Sequence, residues 1–168
     1  MKSNENRLLT FLLAAGLVAS VCTTAHAGLK VGDTFPDLST FKIEGSLPAD
    51  AKGKIIIVDF WASWCESCKE SFPVMNELQK KYGDKVVFIA VNVDDKAADK
   101  DSFLKNHPAT FTIVRDVGQK LVDKAEIAKM PTSFVLDATG KVRFIHGGFY
   151  GADTRKIYIE QIDSLLTK

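Results

Sequence analysis

Cysteine is scarce in this chain. There are three in 168 residues, and only Cys65 and Cys68 lie beyond the N-terminal segment. Several bridges would be needed to staple a small scaffold, so a disulfide-framework fold is excluded. Histidine is equally sparse, at three, and no second cysteine pair exists. A structural zinc needs about four ligands, and neither His107 nor His146 stands in a ligand pattern. Excess charge is absent as well. The chain has 22 basic and 21 acidic residues, and setting aside Lys2, Arg7 and Glu5 makes the two equal in number. This balance offers nothing to nucleic acid or to an anionic membrane surface. No repeat or low-complexity tract is present. The longest apolar run, Leu8 to Val21, is shorter than the about 20 residues a membrane span requires.

That run is nevertheless informative. It follows the basic residues Lys2 and Arg7 and precedes Ala25-His26-Ala27 and Gly28. A charged start, an apolar middle and an A-x-A site form the three-part pattern of a secretory signal peptide. The expectation is cleavage after Ala27, leaving residues 28–168 as one domain in a periplasmic or otherwise extracytoplasmic compartment. Retention would instead leave an N-terminal anchor. Cys22 has Val21 before it rather than a small residue, which argues against lipidation, and cleavage discards it.

In the mature chain, "KIIIVDF" (54–60) and "KVVFIAVNV" (85–93) read as buried strands. "FTIV" (111–114) reads as a shorter one. "CKESFPVMNELQKKYG" reads as a helix with Phe72, Met75, Leu78 and Tyr82 on one face, ended by Gly83 and kinked at Pro73. "DDKAADKDSFLKNH" is a polar segment predicted to contain a helix, and "VGQKLVDKAEI" reads as a helix. "TSFVLD" and "KVRFIHG" form a hairpin about "ATG". In the closing helix, Ile157, Ile159, Ile162, Leu165 and Leu166 are expected near one face. "FPDLSTFKIEG" could supply a hairpin or edge strands. The alternation specifies an α/β fold, with a central mixed sheet and helices on both faces.

Cys65 and Cys68 follow a buried strand and open a helix. A C-x-x-C pair can be a redox switch, half a metal site or a structural disulfide. A bridge across two residues restrains little chain and is a poor staple. At a helix N-terminus, unpaired N–H groups and the dipole stabilise a thiolate. A partner three residues on lies within bonding reach, so attack and resolution can occur at one spot. Asp59 falls inside the apolar strand, where burial should raise its pKa. The alternative is a strand-end aspartate that is hydrogen-bonded or solvated.

The flanks carry a resemblance. "VDFWASWCESCK" resembles the active-site segment of thioredoxins, with Asp59, Phe60, Trp61, Ala62, Trp64, Lys69 and Pro73 in place. "MPT" (130–132) is similar to the family's cis-proline segment, and "GKVRFIHGGF" to its final hairpin. The opening "GLKVGDTFPDLSTFKIEG" and the stretch from "VNVDDKAADKDSFLKNH" to "FTIVRD" resemble the N-terminal extension and the extra strand–helix insertion of exported TlpA- and ResA-like proteins.

The resemblance implies a thioredoxin-like fold and a thiol–disulfide oxidoreductase. Cys65 would attack and Cys68 resolve, with Asp59 exchanging the proton of Cys68. Trp64, Met130 and Pro131 would meet substrate, and the Met130–Pro131 bond would be cis. It further implies protein substrates bearing cysteines and a membrane-bound redox partner. The redox-active disulfide would be the only redox group, with no metal or other cofactor, and the expected state is a monomer. TlpA/ResA-like proteins usually act as reductants, on clients such as apocytochromes and oxidase-assembly proteins.

Two residues depart from the pattern. Ser67 replaces the usual proline before the second cysteine, and can donate to sulfur. Glu66 brings negative charge toward Cys65, which opposes thiolate formation, yet it suits the helix dipole. These two are expected to tune the site. A peroxide-reducing enzyme is an alternative, but Ala62 stands where a peroxiredoxin-like pattern has threonine. A copper-handling module is another, although related copper chaperones use the longer C-x-x-x-C spacing.

Overall fold

The computed structural model describes residues 28–167; the predicted signal peptide and Cys22 lie outside them. The two apolar runs become the centre of a sheet. β2 (Ile55–Trp61) and β3 (Val86–Asn92) pair in parallel, with Ile55 opposite Val86 and Asp59 opposite Ala90. β4 (Thr112–Asp116) continues the parallel set beside β3. On the other side of β2, β5 (Thr132–Leu136) and β6 (Val142–Gly147) run antiparallel as the expected hairpin, with a register shift at Val135/Leu136. The N-terminal segment supplies β1 (Ile43–Glu44), an edge strand antiparallel to β4. Among the described residues, the sheet order is β1-β4-β3-β2-β5-β6.

Four helices cover this sheet among the described residues: α1 (Glu66–Tyr82), α2 (Ala97–Asn106), α3 (Lys120–Ala125) and α4 (Ala152–Leu166). Because side chains alternate along a strand, β2 and β3 feed two apolar layers. Ile55, Ile57, Val86 and Phe88 join Met75, Leu78 and Tyr82 of α1 and Tyr158 and Ile162 of α4. Val58, Phe60 and Ile89 join Leu121 and Ala125 of α3 and Phe35 of the N-terminal segment. No helix among the described residues is long and apolar enough to cross a membrane.

Two sequence expectations need correction. α3 is shorter than the "VGQKLVDKAEI" pattern suggests. Gln119 and Glu126, at its two ends, adopt positive φ of 59° and 50°, and left-handed residues do not continue an α-helix. Its first turn is held instead by Asp116, whose Oδ2 accepts from the N–H groups of Leu121 and Val122, both at 2.9 Å. In α4 the buried face is Thr154, Tyr158 and Ile162, with Ile159 and Leu165 partly buried; Ile157 and Leu166 are exposed. The tyrosine, flanked by two isoleucines, takes the place expected for the aliphatic stripe.

β1 also braces the loop after β3. Glu44 pairs with Arg115 at 2.5 Å. The same guanidinium donates to the carbonyls of Asp94 and Asp95, at 3.4 and 3.1 Å.

Candidate active site

The strand-to-helix junction after β2 builds the site. Cys65 is the N-cap of α1, with extended backbone, and its Sγ accepts the N–H of Cys68 at 3.2 Å. This is the capping position, filled by sulfur in place of the usual oxygen. Cys65 and Cys68 form a disulfide with Cα atoms 5.3 Å apart. Cys68 is fully buried, whereas Cys65 keeps 6% of its surface accessible. The less buried cysteine is thus the one at the helix N-terminus, where N–H groups and the dipole favour a thiolate. Glu66 forms an i,i+3 pair with Lys69 at 2.5 Å, so a cation sits against the charge that would oppose ionisation of Cys65.

Ser67 sits between the site and the loop across from it. Its Oγ lies 3.6 Å from Cys65 Sγ and 3.4 Å from the carbonyl oxygen of Met130. A disulfide sulfur carries no proton, so the hydroxyl is the donor in either contact. The Met130–Pro131 bond is cis. Its loop is tied down by Thr132, whose hydroxyl donates to the Lys129 carbonyl at 2.8 Å.

The two tryptophans divide. Trp61 is fully buried, with its ring centroid 4.9 Å from that of Phe72 and 4.6 Å from that of Phe103. Trp64 is 71% exposed. It stands with Met130 on the wall of a groove of about 680 Å³, whose polar lining includes Asp94, Asp95, Lys96, Asp99, Gln119, Asp123 and Glu126.

Asp59 is buried in β2, not solvated at a strand end. It is 4% exposed, and burial pushes its carboxyl up to about 7, with the Ser133 hydroxyl pulling in the opposite direction. That value suits proton exchange near neutrality. His146 is partly buried beside Tyr158, its Nε2 hydrogen-bonded to Gln161 Oε1 at 2.7 Å.

The structure therefore brings Cys65, Cys68, Ser67, Met130 and Pro131 together, with Trp64 and Met130 on one groove wall, while Asp59 is buried in β2 against Ser133. Sequence reasoning missed Asp94, whose two carboxylate oxygens each accept from the Ser63 N–H at 3.1 Å, while Oδ2 takes the Asn92 amide at 2.9 Å. It anchors the start of the active-site loop. The only local signal was an acid just beyond an apolar strand. It also missed Ser133 and Tyr158, the polar neighbours of Asp59.

Known proteins place this arrangement. The Thioredoxin-like family model matches residues 53–142. The thiol-disulfide oxidoreductase ResA of Bacillus cereus is 33% identical, over 82% of this chain and 86% of its own length. The thioredoxin-like protein YneN of Bacillus subtilis is 34% identical over 82% of each. Among solved structures, a thiol:disulfide interchange protein DsbE from Chlorobium tepidum superposes with a TM-score of 0.75 at 38% identity, covering 83% of this chain and 99% of that one. With its thioredoxin-like fold and its Cys65–Cys68 disulfide, the chain belongs to the thioredoxin superfamily, as a TlpA/ResA-like thiol–disulfide oxidoreductase.

Proposed function

We propose that this oxidoreductase works outside the cytoplasm as a reductant of protein disulfides, after removal of residues 1–27 as a signal peptide. The reading rests above all on Cys65, the less buried of the two cysteines, capping α1 and accepting the Cys68 N–H.

In the reductive direction, the Cys65 thiolate attacks one sulfur of a client disulfide. A Cys65–client bond forms, and the other client sulfur leaves as a thiolate. Asp59 then takes the proton of the Cys68 thiol. Cys68 attacks Cys65 Sγ, restores the intramolecular disulfide and expels the second client thiolate. Two electrons pass to the client, and the cysteine pair is itself the redox group. A membrane-bound partner returns the pair to the dithiol. Clients in cytochrome c or oxidase maturation fit this chemistry. The groove beside Trp64 and Met130 offers room for the client chain, and its acids favour a segment carrying basic side chains. Ser67 and Glu66 tune the potential, and Pro131 shapes the client-facing loop. The protein acts as a monomer.

Membership among thiol–disulfide oxidoreductases favours this reading over peroxide reduction or copper handling. Trapping in the exporting cell tests it. Cys68→Ser, which cannot resolve, should accumulate mixed disulfides with exported proteins, and Cys65→Ser should not. Equal accumulation by both variants, or by neither, refutes the assigned roles.

A further inference from the structure

Polar side chains from three separate elements meet inside the apolar layer beneath α1 and α4. Asp59 of β2 and Ser133 of β5 oppose each other across the antiparallel ladder, and the Ser133 hydroxyl donates to Asp59 Oδ1. Tyr158, reaching in from α4, donates its hydroxyl to Ser133 Oγ at 2.6 Å. Ser133 and Tyr158 are buried as deeply as Asp59. Ile57, Met75, Phe88 and Phe111 line the small space beside Asp59. Polar groups in such a layer are expensive unless each finds a partner, and here each does.

The chain of bonds has a direction. The phenol donates to the serine, and the serine donates to the carboxylate. A protonated Asp59 would still leave an oxygen to accept from Ser133, but the carboxylate accepts that bond more strongly. The arrangement therefore suits a charged Asp59, against the burial that favours the neutral acid.

We propose that Ser133 and Tyr158 are positioning residues, which hold the Asp59 carboxyl in one orientation and supply the hydrogen bonds that its charged form needs. The proposal deepens the proton-acceptor role given to Asp59 above and rests on that reading.

Among the described residues, no other side chain hydrogen-bonds the Asp59 carboxyl. β3 places Ala90 opposite it. α1 carries Cys68 in its first turn and Tyr82 at its far end, where the Tyr82 hydroxyl donates to Asp163 of α4 at 2.9 Å. The ring of His146 of β6 lies tilted against Tyr158, with centroids 4.7 Å apart. Burial lowers the pKa of that imidazole, which works against a positive charge there, with the Gln161 hydrogen bond pulling the other way. Burial and Ser133 are the two influences on the Asp59 carboxyl, and no cation is among them.

The test follows the Asp59 carboxyl directly, by 13C NMR titration of the mature protein. Wild type is compared with Ser133→Ala, Ser133→Thr and Tyr158→Phe. In parallel, the pH profile of disulfide exchange with insulin is recorded. Ser133→Ala should move the Asp59 midpoint to higher pH by about one unit. Tyr158→Phe should give a smaller shift in the same direction, and Ser133→Thr, which keeps a hydroxyl, should restore the wild-type midpoint. Unmoved midpoints in Ser133→Ala and Tyr158→Phe, with unchanged near-UV spectra, overturn the proposal. If Ser133→Ala does not fold, Tyr158→Phe decides. A midpoint that moves while the exchange profile stays in place keeps the network, and refutes the proton-acceptor role of Asp59 instead.

Discussion

Replacing Asp59 by asparagine should stabilise the protein, and by an amount that depends on pH. Burial raises the carboxyl from an ordinary 3.8 to about 7 in the folded state. Below pH 3.8 the group is protonated whether the chain is folded or not, so its titration adds nothing to stability. As pH climbs toward 7, the unfolded chain ionises first and gains stability that the folded chain does not share. The native state therefore loses about 1.4 kcal/mol per pH unit across that window. The window spans about three units, for a total of about 4 kcal/mol, and above pH 7 the loss is constant. Asparagine has nearly the same volume and can still accept from Ser133, so no cavity or orphaned hydroxyl offsets the gain. The assay is urea unfolding of the oxidised proteins at pH 4 and pH 8. The advantage of Asp59→Asn should be small at pH 4 and larger by about 3–4 kcal/mol at pH 8. An advantage equal at both pH values, or one that shrinks as pH rises, would refute the reasoning.

Ser67→Ala removes the hydroxyl that lies 3.6 Å from Cys65 Sγ. The Cys65 thiol pKa should rise by about half a unit to one unit, read from thiolate absorbance during titration of the reduced protein; an unchanged midpoint would mean the contact is incidental. Trp64→Ala deletes an exposed ring, so the melting temperature should stay put while kcat/KM for protein disulfides falls several-fold. A loss of stability with turnover intact would place Trp64 in the fold and not in the client site.

The features legible in the sequence are those set by neighbours along the chain. The apolar runs of β2 and β3, the helix opened by Cys65, and the hairpin about Gly140 depend on local pattern, and each lies within a residue or two of its expected place. β1 was visible only as a possible edge because two residues carry no periodicity; its partner is β4, where Ile43 meets Asp116. The length of α3 was obscured because its ends are set by left-handed Gln119 and Glu126, conformations that non-glycine residues rarely adopt. In α4, counting aliphatic residues misplaced the buried face, since Tyr158 is buried for its ring and for the hydrogen bond at its tip. The network around Asp59 was least legible of all. Ser133 is 74 residues from Asp59, and Tyr158 a further 25 on, so only the folded sheet brings them together.

The central claim is that the Cys65–Cys68 pair exchanges reversibly as a reductant. Equilibration of the mature protein against glutathione redox buffers, with the dithiol fraction read by thiol alkylation, tests it most directly. The account predicts a two-electron transition near the thioredoxin end of the scale, at about −270 mV. A potential near the oxidant end, at about −120 mV, or a disulfide that glutathione does not reduce at all, would contradict it.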